Sequence, residues 1–306
     1  MNSTPRRALI LALIPLALGL TADLLLQLFS EHLPIILWRA DLGTWLALLG
    51  GLLTLLALTC IAMWIAAERR LARALSQARQ TQAEAHRRFL RRLDHELKNP
   101  LTAIHIGLAN LTATAPEEGR AQTLESVKTQ INRLSKLTTD LRKLAELETN
   151  SLERAPVDIT EVLREALALV SERPEAAARH LTLTLPQAPW PLPTVAGDRD
   201  LLALALHNLL DNALKFTRPG DTIEVRAMED GQVVTVQIAD TGPGIPEDEL
   251  PHVFEELYRG QGARGTPGSG LGLALVRAIV ERHGGTVTAR SREGEGTVFT
   301  LRLPQS

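Results

Sequence analysis

The chain has 306 residues, room for two soluble domains and additional segments. Lys and Arg number 33 against 35 Asp and Glu, a near-neutral balance that excludes the basic footprint of a nucleic-acid binder. Aromatic residues are only 3% while Leu and Ala abound, as in helix-rich chains, and the lone Cys60 excludes a disulfide framework or a cysteine-based metal site.

Residues 8–29 carry one charge, Asp23, and residues 43–67 carry none. As helices rising about 1.5 Å per residue, both runs are long enough for a hydrocarbon core of about 30 Å. Arg6 and Arg7 precede the first run as in a signal peptide, but it is too long for an h-region and lacks a clear small-x-small cleavage site, so it reads as an anchor. Gly50 and Gly51 suit close helix packing as easily as flexibility. Arg69, Arg70, Arg73, Arg79, Arg87 and Arg88 follow the second run, whereas the connector holds only Arg39. The positive-inside rule therefore puts both termini of this multi-pass anchor, residues 1–67, in the cytoplasm. The connector, Ser30 to Leu42, is too short for a folded domain. Asp23 is a functional candidate by virtue of its place in an apolar run.

Residues 68–86 contain neither Pro nor Gly and are rich in strong helix formers, so they read as a helical linker. A helical hairpin is expected over 87–152. Leu93, Leu97, Leu101, Ile104, Leu108 and Leu111 recur at helical spacing. His95 lies about 200° round the axis from Leu93 and Leu97, so it points away from that stripe, and Asn99 and Thr102 share its exposed face. Pro100 removes a backbone donor and crowds the Glu96 carbonyl, which predicts a bend within a turn of His95. Thr112–Gly119 reads as the hairpin loop. Leu124, Val127, Ile131, Leu134, Thr138, Leu141, Ala145 and Glu148 then follow a seven-residue repeat, widened by Leu137, Leu144 and Leu147. Two helices cannot bury so broad an apolar face alone. Pairing two hairpins in a homodimeric four-helix bundle solves this; packing against the chain's own C-terminal part is the alternative.

From residue 156 to 306 short alternating segments appear between helices: Leu181–Leu185, Asp221–Ala227, Val233–Ala239, Thr286–Ser291 and Thr297–Leu303. This predicts an α+β domain with a mixed sheet and helices on one face. Asp198 can cap a helix running to Phe216, packed through Leu202, Leu206, Leu209 and Ala213. Asn208, Asn212 and Lys215 fall on another line of that helix, and two carboxamide oxygens with an ammonium suit a magnesium-polyphosphate ligand. A solvated polar face is the bland reading. Asp240 shares the buried parity of Val234, Val236 and Ile238, so its carboxylate needs a donor. Gly242 and Gly244 leave room for a flat ring, and an adenine amino group would supply the donor. Residues 260–272 contain six glycines and open a helix, Leu271–His283, whose first N–H groups make an anion site under a glycine-rich lid. Neither a P-loop nor a Rossmann context is present.

These stretches, taken together, resemble the bacterial sensor histidine kinases. His95-Glu-Leu-Lys-Asn-Pro-Leu-Thr102 is similar to their H-box and Asn208-Leu-Leu-Asp-Asn-Ala-Leu-Lys-Phe-Thr217 to their N-box. Asp240-Thr-Gly-Pro-Gly-Ile245 is similar to the first glycine box, Phe254-Glu-Glu-Leu-Tyr-Arg259 to the F-box and Gly268-Ser-Gly-Leu-Gly-Leu273 to the second glycine box. The order is the family's own, and the match runs from about Arg87 to the end. Leu257 departs from the F-box, where a second aromatic is common.

The resemblance implies a Bergerat ATP fold, shared with gyrase and Hsp90, and a homodimer in the bacterial inner membrane. It implies that His95 takes a phosphoryl group from ATP and passes it to an aspartate on a response regulator receiver domain. Glu96 then acts as general acid/base, Asn99 positions water for regulator dephosphorylation, and Asn208 holds Mg2+. Asn212 and Lys215 lie near the phosphates, Phe216 beside the nucleotide and Asp240 on adenine. Arg259, the glycines Gly268, Gly270 and Gly272, Leu271 and Thr297 complete the nucleotide site. The short connector implies sensing within the membrane or through a membrane-protein partner. Two other readings share features of the chain: a conformational ATPase of the gyrase–Hsp90 type, and a non-enzymatic membrane scaffold with a vestigial pocket.

Overall fold

The computed structural model describes residues 4–29, 36–112, 117–149, 151–186, 191–263 and 265–306. It falls into two units, Met1–His86 and Arg87–Ser306.

In the first unit, α1 (Thr4–Phe29) is followed by the start of α2 (Ile36–Thr112). The expected connector lies outside the described residues over 30–35, and its remainder belongs to α2. Among the described residues one helix is long and apolar enough to cross a membrane, the Trp45–Leu111 part of α2, whereas the apolar stretch in α1, Leu13–Leu25, is shorter. The backbones approach closely at one glycine of the expected pair. A Cβ added to Gly50 would stand 2.7 Å from the Pro15 carbonyl oxygen, while at Gly51 it would meet nothing.

In the second unit, α2 continues through Pro100 and α3 (Glu117–Thr149) returns alongside it, the loop residues 113–116 lying outside the described residues. The apolar stripe of α3 divides between two faces. Val127, Leu137 and Leu147 are buried, whereas Leu124 and Ile131 are exposed, as are Leu101 and Leu108 on α2. Gly107 permits the close crossing, since a Cβ there would lie 2.6 Å from Val127.

The C-terminal part is an α+β sandwich. Its five-stranded sheet has the order β2 (His180–Thr184), β4 (Thr222–Asp230), β5 (Val233–Asp240), β7 (Gly296–Pro304), β6 (Thr286–Arg292). Only β2 and β4 run parallel, so the sheet is mixed. A second, two-stranded sheet pairs β1 (Ala155–Val157) with β3 (Val195–Gly197). Helices α4 (Ile159–Ser171), α5 (Arg199–Phe216) and α6 (Gly272–Arg282) supply the other layer. Their buried faces meet Val234, Val236, Ile238 and Leu301 in one apolar core. Alternation along β5 is what makes this possible: inward positions are apolar up to the last, Asp240.

The start of α5 is fixed by two linked bonds. Asp198 accepts hydrogen bonds from the Asp200 and Leu201 N–H groups, and its own N–H donates to His283 Nε2 at 3.0 Å. Nδ1 of His283 donates to the Ile279 carbonyl at 2.7 Å, so the buried ring works as a neutral tautomer. Gly197 makes room, because a Cβ there would lie 2.3 Å from the ring.

Burial holds His283 below its ordinary 6.5, and burial together with Arg173 does the same to His207. Because the unfolded chain takes up these protons first, acid favours unfolding through them, and their stabilisation is lost as pH falls below 6.5. The melting temperature of the purified chain is expected to fall between about pH 7.5 and about pH 5.5; an unchanged value would contradict a neutral ring at the buried His283 and the half-buried His207. Asp198→Ala is expected to cost about 1 kcal/mol in the same measurement.

Candidate functional site

A cavity of about 670 Å³ opens on the α5 side of the C-terminal domain. Helix α5 contributes Asn208, Asn212, Lys215 and Phe216 from one stripe; the end of β5 and the loop after it contribute Asp240 and Gly244. Arg259, Gly268, Gly270 and Gly272 come from the glycine-rich segment and Thr297 from β7. Residues from the far ends of the domain thus share one wall because α5, β5 and α6 converge there. Gly242 and Leu271 are not among the lining residues; Leu271 stands between two that are, Gly270 and Gly272, and caps α6.

Asp240 is buried, and its Oδ1 accepts the Gly242 N–H at 2.9 Å. Burial pushes this carboxyl above the usual aspartate range, opposed by backbone hydrogen bonds from Gly242 and Thr297. Two glycines are required for that placement. A Cβ on Gly242 would sit 2.9 Å from the Phe216 carbonyl oxygen, and one on Gly296 would sit 1.9 Å from that of Asp240. Next to it, Ser291 Oγ links the Ile245 N–H (2.7 Å) and Thr297 Oγ1 (2.9 Å), tying the glycine loop to β6 and β7.

Asn208 donates its amide to the Leu204 carbonyl at 2.9 Å, which leaves Oδ1 free of intrahelical work and facing Gly272. That orientation fits a hard cation, which takes oxygen donors. Lys215 is 2.5 Å from Asp211 Oδ2, while Arg173 bonds Asp211 Oδ1 at 2.7 Å and Lys136 lies 3.9 Å away. Burial alone would raise the Asp211 carboxyl, but Lys215 and Arg173 hold it below the usual range. The ammonium expected at a phosphate is therefore parked on a carboxylate one turn back.

Arg259 turns to the lid backbone, donating to the carbonyls of Ala263 at 2.8 Å and Thr266 at 2.5 Å. Leu257, the departure in the F-box, is buried at a positive φ of 56° and packs with Leu137 of α3 and Leu271. Arg92 of α2 bonds Glu255 at 2.8 Å and lies 5.3 Å from the Tyr258 ring centre.

Outside the cavity, His95 and Asn99 are exposed on α2. Glu96 does not stand free beside His95: its Oε2 accepts from Arg133 of α3 at 2.6 Å. Lys136, Asp140 and Ser269 also line the cavity and were not anticipated. Asp211 and Lys215 are spaced (i, i+4), and so are Lys136 and Asp140; the spacing does not mark the latter pair as part of a site, since only tertiary packing brings α3 to this wall.

Residues 85–150 match the family described as the His Kinase A (phospho-acceptor) domain, and residues 197–306 match that of the histidine kinase-, DNA gyrase B-, and HSP90-like ATPases. The chain is 32% identical over 225 residues to the signal transduction histidine-protein kinase BaeS of Escherichia coli K12, covering 72% of this chain and 47% of that protein. It is 36% identical over 244 residues to the histidine-protein kinase/phosphatase MprB of Mycobacterium sp. strain KMS, covering 76% and 45%. The chain thus spans about half the length of the curated relatives it matches. Among solved structures, full-length ShkA in complex with AMPPNP is 30% identical with a TM-score of 0.52, covering 70% of this chain and 45% of that one. With a phospho-acceptor hairpin followed by this ATPase-like domain, the chain belongs to the histidine kinase family.

Proposed function

We propose that this chain is a sensor histidine kinase that binds MgATP in the α5–α6 cavity and transfers the γ-phosphoryl group to His95. The observation that carries the reading is the buried Asp240 carboxylate at the floor of that cavity, with one oxygen on Gly242 and the other available to an adenine amino group. The AMPPNP bound to the similar ShkA supports the same ligand class. Asn208 Oδ1 is the chain's own ligand for a magnesium ion, which when bound offsets polyphosphate charge. Lys215 exchanges Asp211 for phosphate, and the N–H groups opening α6 face the transferred group.

In the transfer, the unprotonated ring nitrogen of His95 attacks the γ-phosphorus, the bond to the β,γ-bridging oxygen breaks, and ADP leaves. Glu96, which accepts a hydrogen bond from Arg133, must reorient from it to hold the second ring nitrogen. The phosphoryl then passes to an aspartate of a response regulator receiver domain. Asn99, one turn from His95 and equally exposed, orients water in our reading for hydrolysis of the regulator's aspartyl phosphate.

The protein acts as a homodimer in the bacterial inner membrane, with α1 and the first part of α2 as two spans and both ends cytoplasmic. The exposed Leu101, Leu108, Leu124 and Ile131 support a second copy as the cover of the hairpin. The domain limits follow: anchor 1–67, linker 68–86, hairpin 87–152 and nucleotide domain 156–306.

Three outcomes are expected. Incubation with γ-labelled ATP yields phosphoprotein that survives base and decays in acid, and His95→Gln abolishes it; label persisting in that variant rejects the assignment, and turnover without phosphoprotein favours a conformational ATPase. Asp240→Asn, with its oxygen on Gly242, turns an amide NH2 towards the adenine amino group. It is expected to weaken MgAMPPNP binding by about two orders of magnitude, while raising the melting temperature at neutral pH because a buried charge is gone. Equal affinity would remove Asp240 from the site. Ile131→Glu is expected to give a monomer by light scattering without loss of MgAMPPNP binding; a persisting dimer would place the interface elsewhere.

A further inference from the structure

Asp140 is one of several acids in the wall of the cavity, and the one that comes from the hairpin. It comes from α3, the hairpin helix, and its Oδ2 accepts the Ser269 hydroxyl at 2.9 Å. Ser269 is 6% exposed, and its Oγ in turn accepts the Leu271 N–H at 3.3 Å. Leu271 is the residue that caps α6, so this N–H belongs to the set of donors that an anion at that helix end would use. The hairpin thus engages, through one carboxylate and one hydroxyl, donors at the N-terminal end of α6.

The contact is anchored on both sides. Leu271 is fully buried against Leu137, one turn before Asp140, and Leu257. Gly270 ties the glycine box to the F-box, since a Cβ there would lie 2.9 Å from the Tyr258 carbonyl oxygen. Arg92 holds that F-box to α2 through Glu255. The F-box and the glycine box are thus joined to each other and to the hairpin, and Asp140 is the acidic contact that α3 makes at the cavity, beside the basic one of Lys136 with Asp211.

We propose that Asp140 is a built-in competitor of the nucleotide's phosphates: it clasps Ser269 when the cavity is empty and is displaced when a triphosphate arrives. The proposal rests on the nucleotide reading of the cavity and adds its regulation. A phosphate at α6 takes the Ser269 hydroxyl and the Leu271 N–H, and repels the Asp140 carboxylate from the same wall. Binding of nucleotide then loosens the glycine box from α3, which frees the domain to present its ligand to His95. By reciprocity, whatever α3 gains from the clasp is subtracted from nucleotide affinity.

The test is titration of the full-length, detergent-solubilised chain with MgAMPPNP. Asp140→Ala is expected to bind about five-fold more tightly than the unaltered chain, and Asp140→Asn, which keeps an acceptor but loses the charge, is expected to lie between them. Glu146→Ala removes an acid from the same helix that pairs with Arg142 away from the cavity, and is expected to change nothing. Without nucleotide, amide exchange over 269–274 is expected to be faster in Asp140→Ala. Unchanged or weaker binding in both Asp140 variants, or equal tightening in Glu146→Ala, overturns the clasp while leaving the nucleotide site standing. No MgAMPPNP binding by the unaltered chain overturns both.

Discussion

The C-terminal domain is organised around a carboxylate placed where a charge is costly. Asp240 ends the inward row of β5, after Val234, Val236 and Ile238, and among the described residues no cation pairs with it. Backbone N–H groups do that work instead, which requires backbone to come closer than a Cβ allows at Gly242 and Gly296. Once the chain is bent so tightly there, the Ser291 hydroxyl can tie the loop to β7, and Phe216 at the end of α5 is brought against the same corner. The cavity exists because the ends of α5, β5 and β7 all serve this one group.

Much of this was readable from residue pattern. Alternation locates the five strands of the main sheet, four of them within one residue at each end, while β4 runs three residues beyond the expected Ala227. The Asp198 cap and the Asn208, Asn212, Lys215 stripe followed from helical geometry alone. What escaped was set by packing over long separations. Strands β1 and β3 are three residues each, too short to alternate, and pair across some forty positions of chain. Lys136 and Asp140 look like any polar pair on a charged helix until α3 is laid against the nucleotide domain. Leu257 looked like a weakened F-box, yet a small aliphatic side chain is what fits between Leu137 and Leu271. The broad stripe of α3 admitted two partners as alternatives, and the structure uses one face for the chain's own domain while the other stays exposed.

The cations of the cavity also bear on how it works. Lys215 is held by Asp211, and Arg259 by two lid carbonyls. Asp211 is itself triply approached, by Lys215, Arg173 and Lys136, the last from the hairpin. Binding a polyphosphate therefore exchanges internal ion pairs and hydrogen bonds for external ones, and the gain is smaller than the count of positive charges implies. Such a site is selective rather than merely sticky: a lone phosphate repays few of these exchanges, whereas a ligand that also satisfies Asp240 repays them together.

Three of the acids that line the cavity, Asp240, Asp211 and Asp140, divide the labour according to how each charge is compensated. Asp240 is held by N–H groups alone and is poised to accept from a base edge. Asp211 is neutralised by cations, so it acts as a reservoir that stores Lys215 without repelling phosphate. Asp140 has the Ser269 hydroxyl, and of the three it alone belongs to the hairpin that carries His95. A charge compensated by a single neutral donor is the one most easily displaced by a competing anion. Of these three, the weakest compensation is thus found at the boundary between the nucleotide and the phosphoacceptor helices, where release, not retention, is what transfer to His95 demands.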